Sequence, residues 1–256
     1  MKKFGLIGHP IAHSLSPSLF KAAYAGKYPY NLIESEDFEE AYSKFLEDYD
    51  GINVTAPFKE QAFSKADIRT PECEAAGATN LLIKTPEGIK AYNSDFLGVR
   101  KWLKEIQDSA QKSMKVLVVG YGGAGKAVAA AADSLGMETI ILNRSIKDKG
   151  IRPLDEFCPE FRKADIIVYN IPGPISQFND LCDEDFKGGE RASKKYILEA
   201  NYRNPSFTPD MLSRMHKVNQ YVEYIEGKTW LLYQAMTGYE IFTGETPDLE
   251  NMRKVL

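Results

Sequence analysis

Short apolar runs alternate with amphipathic stretches along nearly the whole chain, and their spacing predicts an α/β fold. Phe4 to Gly8 reads as a strand ending in glycine, Ser18 to Ala25 as a helix and Tyr30 to Ile33 as a strand. Phe38, Ala41, Tyr42 and Phe45 recur at helical spacing, so Phe38 to Leu46 is expected to be a helix. Gly51 to Val54 is the next strand. Thr79 to Ile83 and Ile89 to Tyr92 flank Thr85-Pro86-Glu87-Gly88, the composition of a hairpin turn. Val99, Trp102, Leu103 and Ile106 mark one face of a helix over Phe96 to Ile106, and the polar residues from Gln107 to Ser113 read as a linker.

A second series of the same kind follows. Val116 to Val119 is a strand of the fully buried type, Ala124 to Leu135 an alanine-rich helix, and Thr139 to Leu142, Ile166 to Tyr169 and Tyr196 to Glu199 are further strands. Phe186 to Lys195 reads as a solvated loop and residues 227–243 as a long helix. Continuous apolar strands between helices indicate parallel sheets covered on both faces.

Composition narrows the function. The 256 residues are 43% hydrophobic, enough for a sizeable core in one or two domains. A net charge of -4 without a block of like charge argues against a nucleic-acid surface. No apolar run is long enough to span a bilayer, and residues 1–20 lack the apolar centre of a signal peptide, so no membrane partner is expected. Cys73, Cys158 and Cys182 are widely spaced, and His9, His13 and His216 have no metal spacing. Neither a disulfide framework nor a metal site is expected, and a reducing cytoplasm is the default.

Two segments carry candidate chemistry. Asn53-Val54-Thr55-Ala56-Pro57-Phe58-Lys59 places an amide, a hydroxyl and an ammonium where a strand gives way to a helix. Asn53 and Thr55 point to the same side of an extended chain, Pro57 suits a first helical turn, and Lys59 opens the helix. A capped helix with a solvated lysine explains this segment equally well. The second segment is Gly120-Tyr121-Gly122-Gly123-Ala124-Gly125, between a buried strand and a helix, the context of a dinucleotide fingerprint. Glycine lets the backbone approach a pyrophosphate, and the helix N-terminus offers it N–H groups. The next strand ends Leu142-Asn143-Arg144-Ser145, with Lys147 and Lys149 after it, where an NAD-selective fold carries an acid. A planar cation and a hydroxyl suit a 2′-phosphate, so the cofactor is expected to be NADP(H).

Together these segments resemble the shikimate dehydrogenase family, and the likeness runs nearly end to end. Gly8-His9-Pro10-Ile11-Ala12-His13-Ser14-Leu15-Ser16-Pro17 resembles the family's G-x-P-I-x-H-S-x-S-P, and Asn53 to Lys59 its N-V-T-x-P-x-K. Gly77-Ala78-Thr79-Asn80 is similar to G-A-x-N, and Asn93-Ser94-Asp95-Phe96-Leu97-Gly98 to N-T-D-x-x-G. The glycine turn, Asn143-Arg144-Ser145 for N-R-T and Leu232-Tyr233-Gln234-Ala235 follow in order. Ser94 and Ser145 replace threonines but keep a hydroxyl, and Leu81 stands where threonine is common. Asn170-Ile171-Pro172-Gly173-Pro174 departs further, since two prolines stiffen a loop that is usually N-x-T. Trp230 is unusual too and is expected to be a packing residue.

The resemblance implies a Rossmann-type NADP-binding domain over residues 104–226 and an α/β substrate-binding domain over 1–103, completed by C-terminal helices over 227–256. It implies reversible reduction of 3-dehydroshikimate to shikimate with NADPH, in aromatic amino acid (chorismate) biosynthesis, in a cleft between the domains. By position, Ser14 and Ser16 would bind the substrate carboxylate, while Asn53, Thr55, Asn80, Asp95 and Gln234 hold ring hydroxyls with Tyr202 nearby. Lys59 and Asp95 would be the catalytic pair. Gly120, Gly122, Gly123, Ala124, Gly125, Asn143, Arg144, Ser145 and Asn170 would hold NADP(H).

Elementary chemistry agrees with this assignment. Reducing a ketone needs a proton at oxygen, and an ammonium at Lys59 can stabilise the growing alkoxide and then release one. Asp95 would orient Lys59, share the proton transfer, or cap the helix at Phe96. Ser14 and Ser16 alternate on an extended segment, so both hydroxyls can aim at one anion. Two other readings stand beside this one: a quinate/shikimate dehydrogenase using NAD(H), and a non-catalytic shikimate-sensing regulator. Monomer and homodimer are both open.

Overall fold

The structure is a computed structural model that describes residues 1–110, 113–146, 148–187 and 194–256. These residues form two compact units: Met1–Gly98 with Leu232–Leu256, and Val99–Leu231. Each unit contains one six-stranded sheet among its described residues.

In the first unit the strands are β1 (Phe4–Gly8), β2 (Tyr30–Glu34), β3 (Gly51–Val54), β4 (Ile68–Arg69), β5 (Leu81–Thr85) and β6 (Gly88–Tyr92). Their order is β2-β1-β3-β5-β6-β4, and β5 alone runs antiparallel to its neighbours. The tight turn at Thr85–Gly88 makes β5 and β6 a hairpin, with Gly88 at φ 125 and the Thr85 hydroxyl donating to the Gly88 carbonyl at 2.9 Å. Helices α1 (Ser16–Ala23), α2 (Phe38–Asp48), α3 (Lys59–Lys65) and α4 (Pro71–Ala76) lie between the strands.

Strand alternation gives this sheet two different faces. On one, Ile7, Ile33, Ile52 and Val54 join Phe38, Ala41 and Phe45 of α2 in an apolar core. On the other, Phe4 lies 4.9 Å from the Phe242 ring and 5.4 Å from Phe20. Asn53 is aligned with Leu6, as Gly51 is with Phe4, so its amide falls on this second face. Burying each of these large apolar side chains contributes roughly 1.5–3 kcal/mol.

The chain crosses between the units within two helices, α5 (Ser94–Ala110) and α10 (Gly227–Thr243). In the second unit β7 (Lys115–Val119), β8 (Glu138–Leu142), β9 (Ile151–Arg152), β10 (Ile166–Tyr169), β11 (Lys195–Glu199) and β12 (Val222–Ile225) pair in the order β12-β11-β10-β7-β8-β9, all parallel. That is the doubly wound dinucleotide-binding order, whose switch point falls between its first and fourth strands, here β7 and β10. Helices α6 (Gly123–Ser134), α7 (Phe157–Lys163), α8 (Asp183–Phe186) and α9 (Pro209–Val218) belong to this unit, and α11 (Leu249–Arg253) to the first.

Several expectations change. Gln107 to Ala110 continue α5 rather than forming a linker, and Gln111 and Lys112 lie outside the described residues. The polar residues are the helix's solvent side: Lys104 pairs with Asp108 one turn on at 3.0 Å. Phe186 and Lys195, read as the ends of a solvated loop, are both buried, while residues 188–193 lie outside the described set. Lys195 donates at 2.6 Å to the carbonyls of both Phe161 and Ala164, filling the C-terminal end of α7 with a cation. Burial pushes its ammonium down to about 8, against the opposing pull of Asp165 and Asp185.

Candidate active site

The polar residues of the first unit converge where β3 ends and β5 and α5 begin. Lys59 is the first residue of α3, and its carbonyl accepts from the Thr79 N–H at 3.1 Å. Pro57 is not in the first helical turn as expected. Phe58 N–H bonds back to the Thr55 carbonyl at 3.0 Å, closing a turn that delays the helix until Lys59. Thr55 itself continues the ladder to β1 through a 3.0 Å bond from its N–H to the Ile7 carbonyl. Gly8 faces it so closely that an added Cβ would lie 2.3 Å from the Thr55 methyl.

Lys59 Nζ is 2.6 Å from Asp95 Oδ2, and their side chains are 16% and 9% exposed. Asp95 lies in the first turn of α5, and the cap role expected for it belongs to Asn93, whose Oδ1 accepts from the Phe96 N–H at 3.0 Å. Asn93 Nδ2 donates to the Ala78 carbonyl at 2.9 Å. With the cap supplied by its neighbour, the Asp95 carboxylate can turn to Lys59 while the helix N-terminus favours its charge.

Asn80 is joined to this pair through the backbone and through Ser94. Its Oδ1 accepts from the Ser94 N–H at 2.8 Å, and its Nδ2 donates to Ser94 Oγ at 2.9 Å. Ser94 Oγ in turn lies 3.2 Å from Gln234 Oε1. A Cβ on Gly238 would crowd a Leu81 methyl at 3.1 Å and Ser94 Oγ at 3.3 Å, whereas one on Gly98 would sit in ordinary contact with the Gln234 nitrogen at 3.4 Å. Asn53 Nδ2 donates to the Asn80 carbonyl at 3.3 Å.

Ser14 and Ser16 also meet, with their hydroxyls 3.1 Å apart, but not on an extended segment. Ser14 N–H bonds to the Ile11 carbonyl at 2.8 Å, Leu15 is helical at φ -80 and ψ -8, and Ser16 opens α1. A tight turn, not strand alternation, brings them together. Tyr239 donates to the Ser16 carbonyl at 3.1 Å.

The second unit gathers the other set at its switch point. Gly120 N–H bonds to the Leu142 carbonyl and Asn170 N–H to the Val119 carbonyl, both at 2.8 Å. Gly120 has φ 90, and a Cβ on Gly125 would fall 2.0 Å from its carbonyl oxygen, so the turn closes only with glycine at both positions. Gly122 caps α6 without a side-chain bond, which leaves the first-turn amides of Gly123, Ala124 and Gly125 facing outwards for an anion. Asn170 Oδ1 beside them is buried without a hydrogen-bond partner among the described residues. A glycine cradle, a helix N-terminus and an orphaned acceptor fit a dinucleotide.

Asn143 Oδ1 accepts from Tyr121 N–H at 3.3 Å, and its Nδ2 donates to the Ser145 carbonyl at 3.0 Å, which ties the end of β8 to the glycine turn. Arg144 and Ser145 are exposed; Lys147 lies outside the described residues. In the proline-containing loop, Tyr169 donates to the Gly173 carbonyl at 2.8 Å. Tyr202 follows β11 on a segment held by buried Glu199, whose carboxylate accepts from the Ser206 and Phe207 N–H groups and from Tyr224 at 2.8 Å. Trp230 is buried. Among the described residues no His, Cys, Asp and Glu cluster could hold a metal, and no helix is long and apolar enough to cross a membrane.

The sequence reading missed the supporting residues. Tyr30, Tyr239 and Asn93 belong to the polar network, yet only Asn93 stood inside a recognisable motif.

A doubly wound sheet with this glycine turn, in one chain with a unit that pairs a lysine with a carboxylate, defines a nicotinamide-nucleotide-dependent dehydrogenase. Residues 6–82 match the shikimate dehydrogenase substrate-binding domain, and residues 79–187 match the NAD-binding domain of D-isomer-specific 2-hydroxyacid dehydrogenases. The shikimate dehydrogenase (NADP(+)) of Caldanaerobacter subterraneus subsp. tengcongensis is 31% identical over 265 residues, covering 95% of this chain and 92% of that protein. The chain belongs to the shikimate dehydrogenase family. Its relative from Carboxydothermus hydrogenoformans is 28% identical over 100% of this chain and 96% of that protein. Among solved structures, shikimate 5-dehydrogenase from Thermus thermophilus in complex with NADP(H) and shikimate is similar with a TM-score of 0.77 at 25% identity, each chain covered in full.

Proposed function

We propose that the chain catalyses the reversible NADPH-dependent reduction of 3-dehydroshikimate to shikimate, in the cytoplasm, as part of aromatic amino acid biosynthesis through chorismate. The observation that carries this reading is the Lys59–Asp95 pair at 2.6 Å, set among amides suited to ring hydroxyls. The first unit, with Ser14, Ser16, Asn53, Thr55, Asn80 and Gln234, is the substrate domain in this reading. Tyr202, which the family likeness adds to the substrate residues, belongs to the second unit, the NADP domain. There Gly120, Gly122, Gly123, Ala124, Gly125, Asn143 and Asn170 hold the nucleotide, and Arg144 and Ser145 hold its 2′-phosphate.

The nicotinamide nucleotide supplies the hydride when bound. Lys59 hydrogen-bonds the ketone oxygen, stabilises the negative charge that grows there and gives it a proton. Asp95 keeps Lys59 aimed and accepts from a neighbouring substrate hydroxyl. In the oxidation of shikimate the same amine takes the hydroxyl proton. The adjacent hydroxyls of Ser14 and Ser16 donate to the carboxylate.

The test is a spectrophotometric assay of purified protein on shikimate with NADP⁺ and NAD⁺ in parallel. Turnover with NADP⁺ well above that with NAD⁺ is expected. No turnover of shikimate with either nucleotide would refute the reading, and equal turnover would refute the cofactor choice.

A further inference from the structure

The Asn53 amide is held from two sides, and only one orientation satisfies both. Its Nδ2 lies 3.3 Å from the Asn80 carbonyl oxygen, which can only accept. Its Oδ1 lies 2.7 Å from the Tyr30 hydroxyl, reached across the sheet from β2. The opposite flip would press two oxygens together at Asn80. Tyr30 is therefore the donor and Asn53 Oδ1 the acceptor. Burial raises the Tyr30 phenol well above its usual value, with Tyr239 adding to the shift and the Ser16 hydroxyl opposing it, so the donor persists through neutral pH. One Nδ2 hydrogen is used on Asn80, and the other is available to a ligand.

The neighbouring amides are polarised in the same sense. Asn80 Oδ1 accepts from the Ser94 N–H at 2.8 Å, and Gln234 Oε1 lies 3.2 Å from the Ser94 hydroxyl. Their carbonyl oxygens are engaged by the protein, Asn80 also spends one Nδ2 hydrogen on Ser94 Oγ at 2.9 Å, and Asp95 supplies a carboxylate acceptor.

We propose that Tyr30 is a positioning residue of the substrate site: it fixes the Asn53 carbonyl inwards, so that Asn53 offers a substrate hydroxyl an N–H donor and not an acceptor. This inference rests on the substrate role proposed above for Asn53. It makes Tyr30 a determinant of affinity for the polyhydroxylated ring although it acts by orienting another side chain.

The experiment compares Tyr30→Phe, Asn53→Ala and the double variant by steady-state kinetics, after circular dichroism has established that each is folded. Tyr30→Phe is expected to raise the KM for shikimate about tenfold, the scale of one hydrogen bond. Its kcat should change less than about threefold and its KM for NADP⁺ should not change, which a general loss of structure would not produce. In the Asn53→Ala background the same substitution should change the shikimate KM clearly less than it does in wild type, because the amide it orients is gone and only its contact with the Ser16 hydroxyl remains. Asn53→Asp, which keeps the acceptor for Tyr30 but loses the donor, should bind shikimate no better than Asn53→Ala and tests the polarity even if Tyr30→Phe does not fold. An unchanged shikimate KM in Tyr30→Phe, an effect undiminished by Asn53→Ala, or a wild-type KM in Asn53→Asp overturns the inference while leaving the function standing. Wild-type protein that does not turn over shikimate overturns the proposed function, and the inference with it.

Discussion

Replacing Lys59 by alanine separates the chemistry of the pair from its contribution to stability. The substitution removes an ammonium 2.6 Å from Asp95 Oδ2, at a site where the two side chains are 16% and 9% exposed. At an effective dielectric of ~20, unit charges at that separation attract by roughly 6 kcal/mol, much of which desolvation offsets. Stranding one member of a fully buried pair costs about 3–5 kcal/mol. Here the stranded carboxylate lies at the N-terminus of α5, where the helix returns roughly 0.3–1 kcal/mol, and it keeps some access to water. A loss of about 2–4 kcal/mol follows, which for a protein of this size lowers the melting temperature by about 4–16 °C. The protein should remain folded at assay temperature.

The kinetic effect is larger. Loss of a general acid–base lowers kcat by ~10²–10⁴, equivalent to about 3–5 kcal/mol of transition-state stabilisation, with the KM for shikimate within about threefold of wild type. Initial rates of nucleotide reduction on shikimate, measured beside the thermal melt of the same preparation, give both numbers. A Lys59→Ala enzyme that keeps its kcat within about tenfold refutes the assignment of Lys59 as proton donor. A raised KM with an unchanged kcat would reassign it to uniform substrate binding.

Four further substitutions probe the second unit. Arg144→Ala should raise the KM for NADP⁺ by about 10–100-fold and leave that for NAD⁺ unchanged, since a charge-assisted bond to phosphate contributes about 1.5–3 kcal/mol; a parallel loss with both nucleotides would remove the 2′-phosphate contact from the account. Gly125→Ala places a methyl 2.0 Å from a backbone oxygen and should lower the melting temperature and weaken NADPH binding, measured by fluorescence titration. Gly122→Ala meets nothing within 4 Å and should melt like wild type, so equal destabilisation of the two variants would refute the packing argument. Lys195, lowered by burial to about 8 from 10.5, releases its proton in the folded chain before the unfolded one does. The unfolded state then binds more protons between those values, and stability rises with pH across that window. Denaturant midpoints at pH ~7.5 and ~9.5 should show wild type gaining about 2 kcal/mol relative to Lys195→Met; a constant difference would refute it.

The longer elements were legible because their side chains repeat at a strand or helix period over enough residues to register. Predicted strands such as Gly51–Val54 and Ile166–Tyr169 occur as read, and residues 227–243 form the long helix α10. Short helices such as α4 and α8 escaped, because four to six residues hold too little of a 3.6-residue period. Polarity misled at Gln107–Ala110, where charge marks the wet side of a helix, and at Lys195, whose aliphatic stem and ammonium are buried against carbonyls that need a cation. The pair of serines was foreseen but its geometry was not, since the turn at Ile11–Ser14 depends on a backbone bond that composition does not encode.

Sequence alone determined what depends on neighbours along the chain. A glycine turn between a buried strand and a helix, an arginine where an acid would select NAD, and motifs of fixed spacing each describe local backbone needs and local chemistry. Tertiary structure decided what depends on residues brought from afar. Asp95 is 36 residues from Lys59 and within 2.6 Å of it. Gln234 is 140 residues from Ser94 and within 3.2 Å of it, where Gly238 leaves room for the serine hydroxyl. Tyr30 reaches Asn53 across an intervening strand and fixes which end of the amide faces inwards. A sequence names donors and acceptors; only the fold sets the directions in which they point, because each direction is the joint solution of hydrogen bonds contributed by several elements.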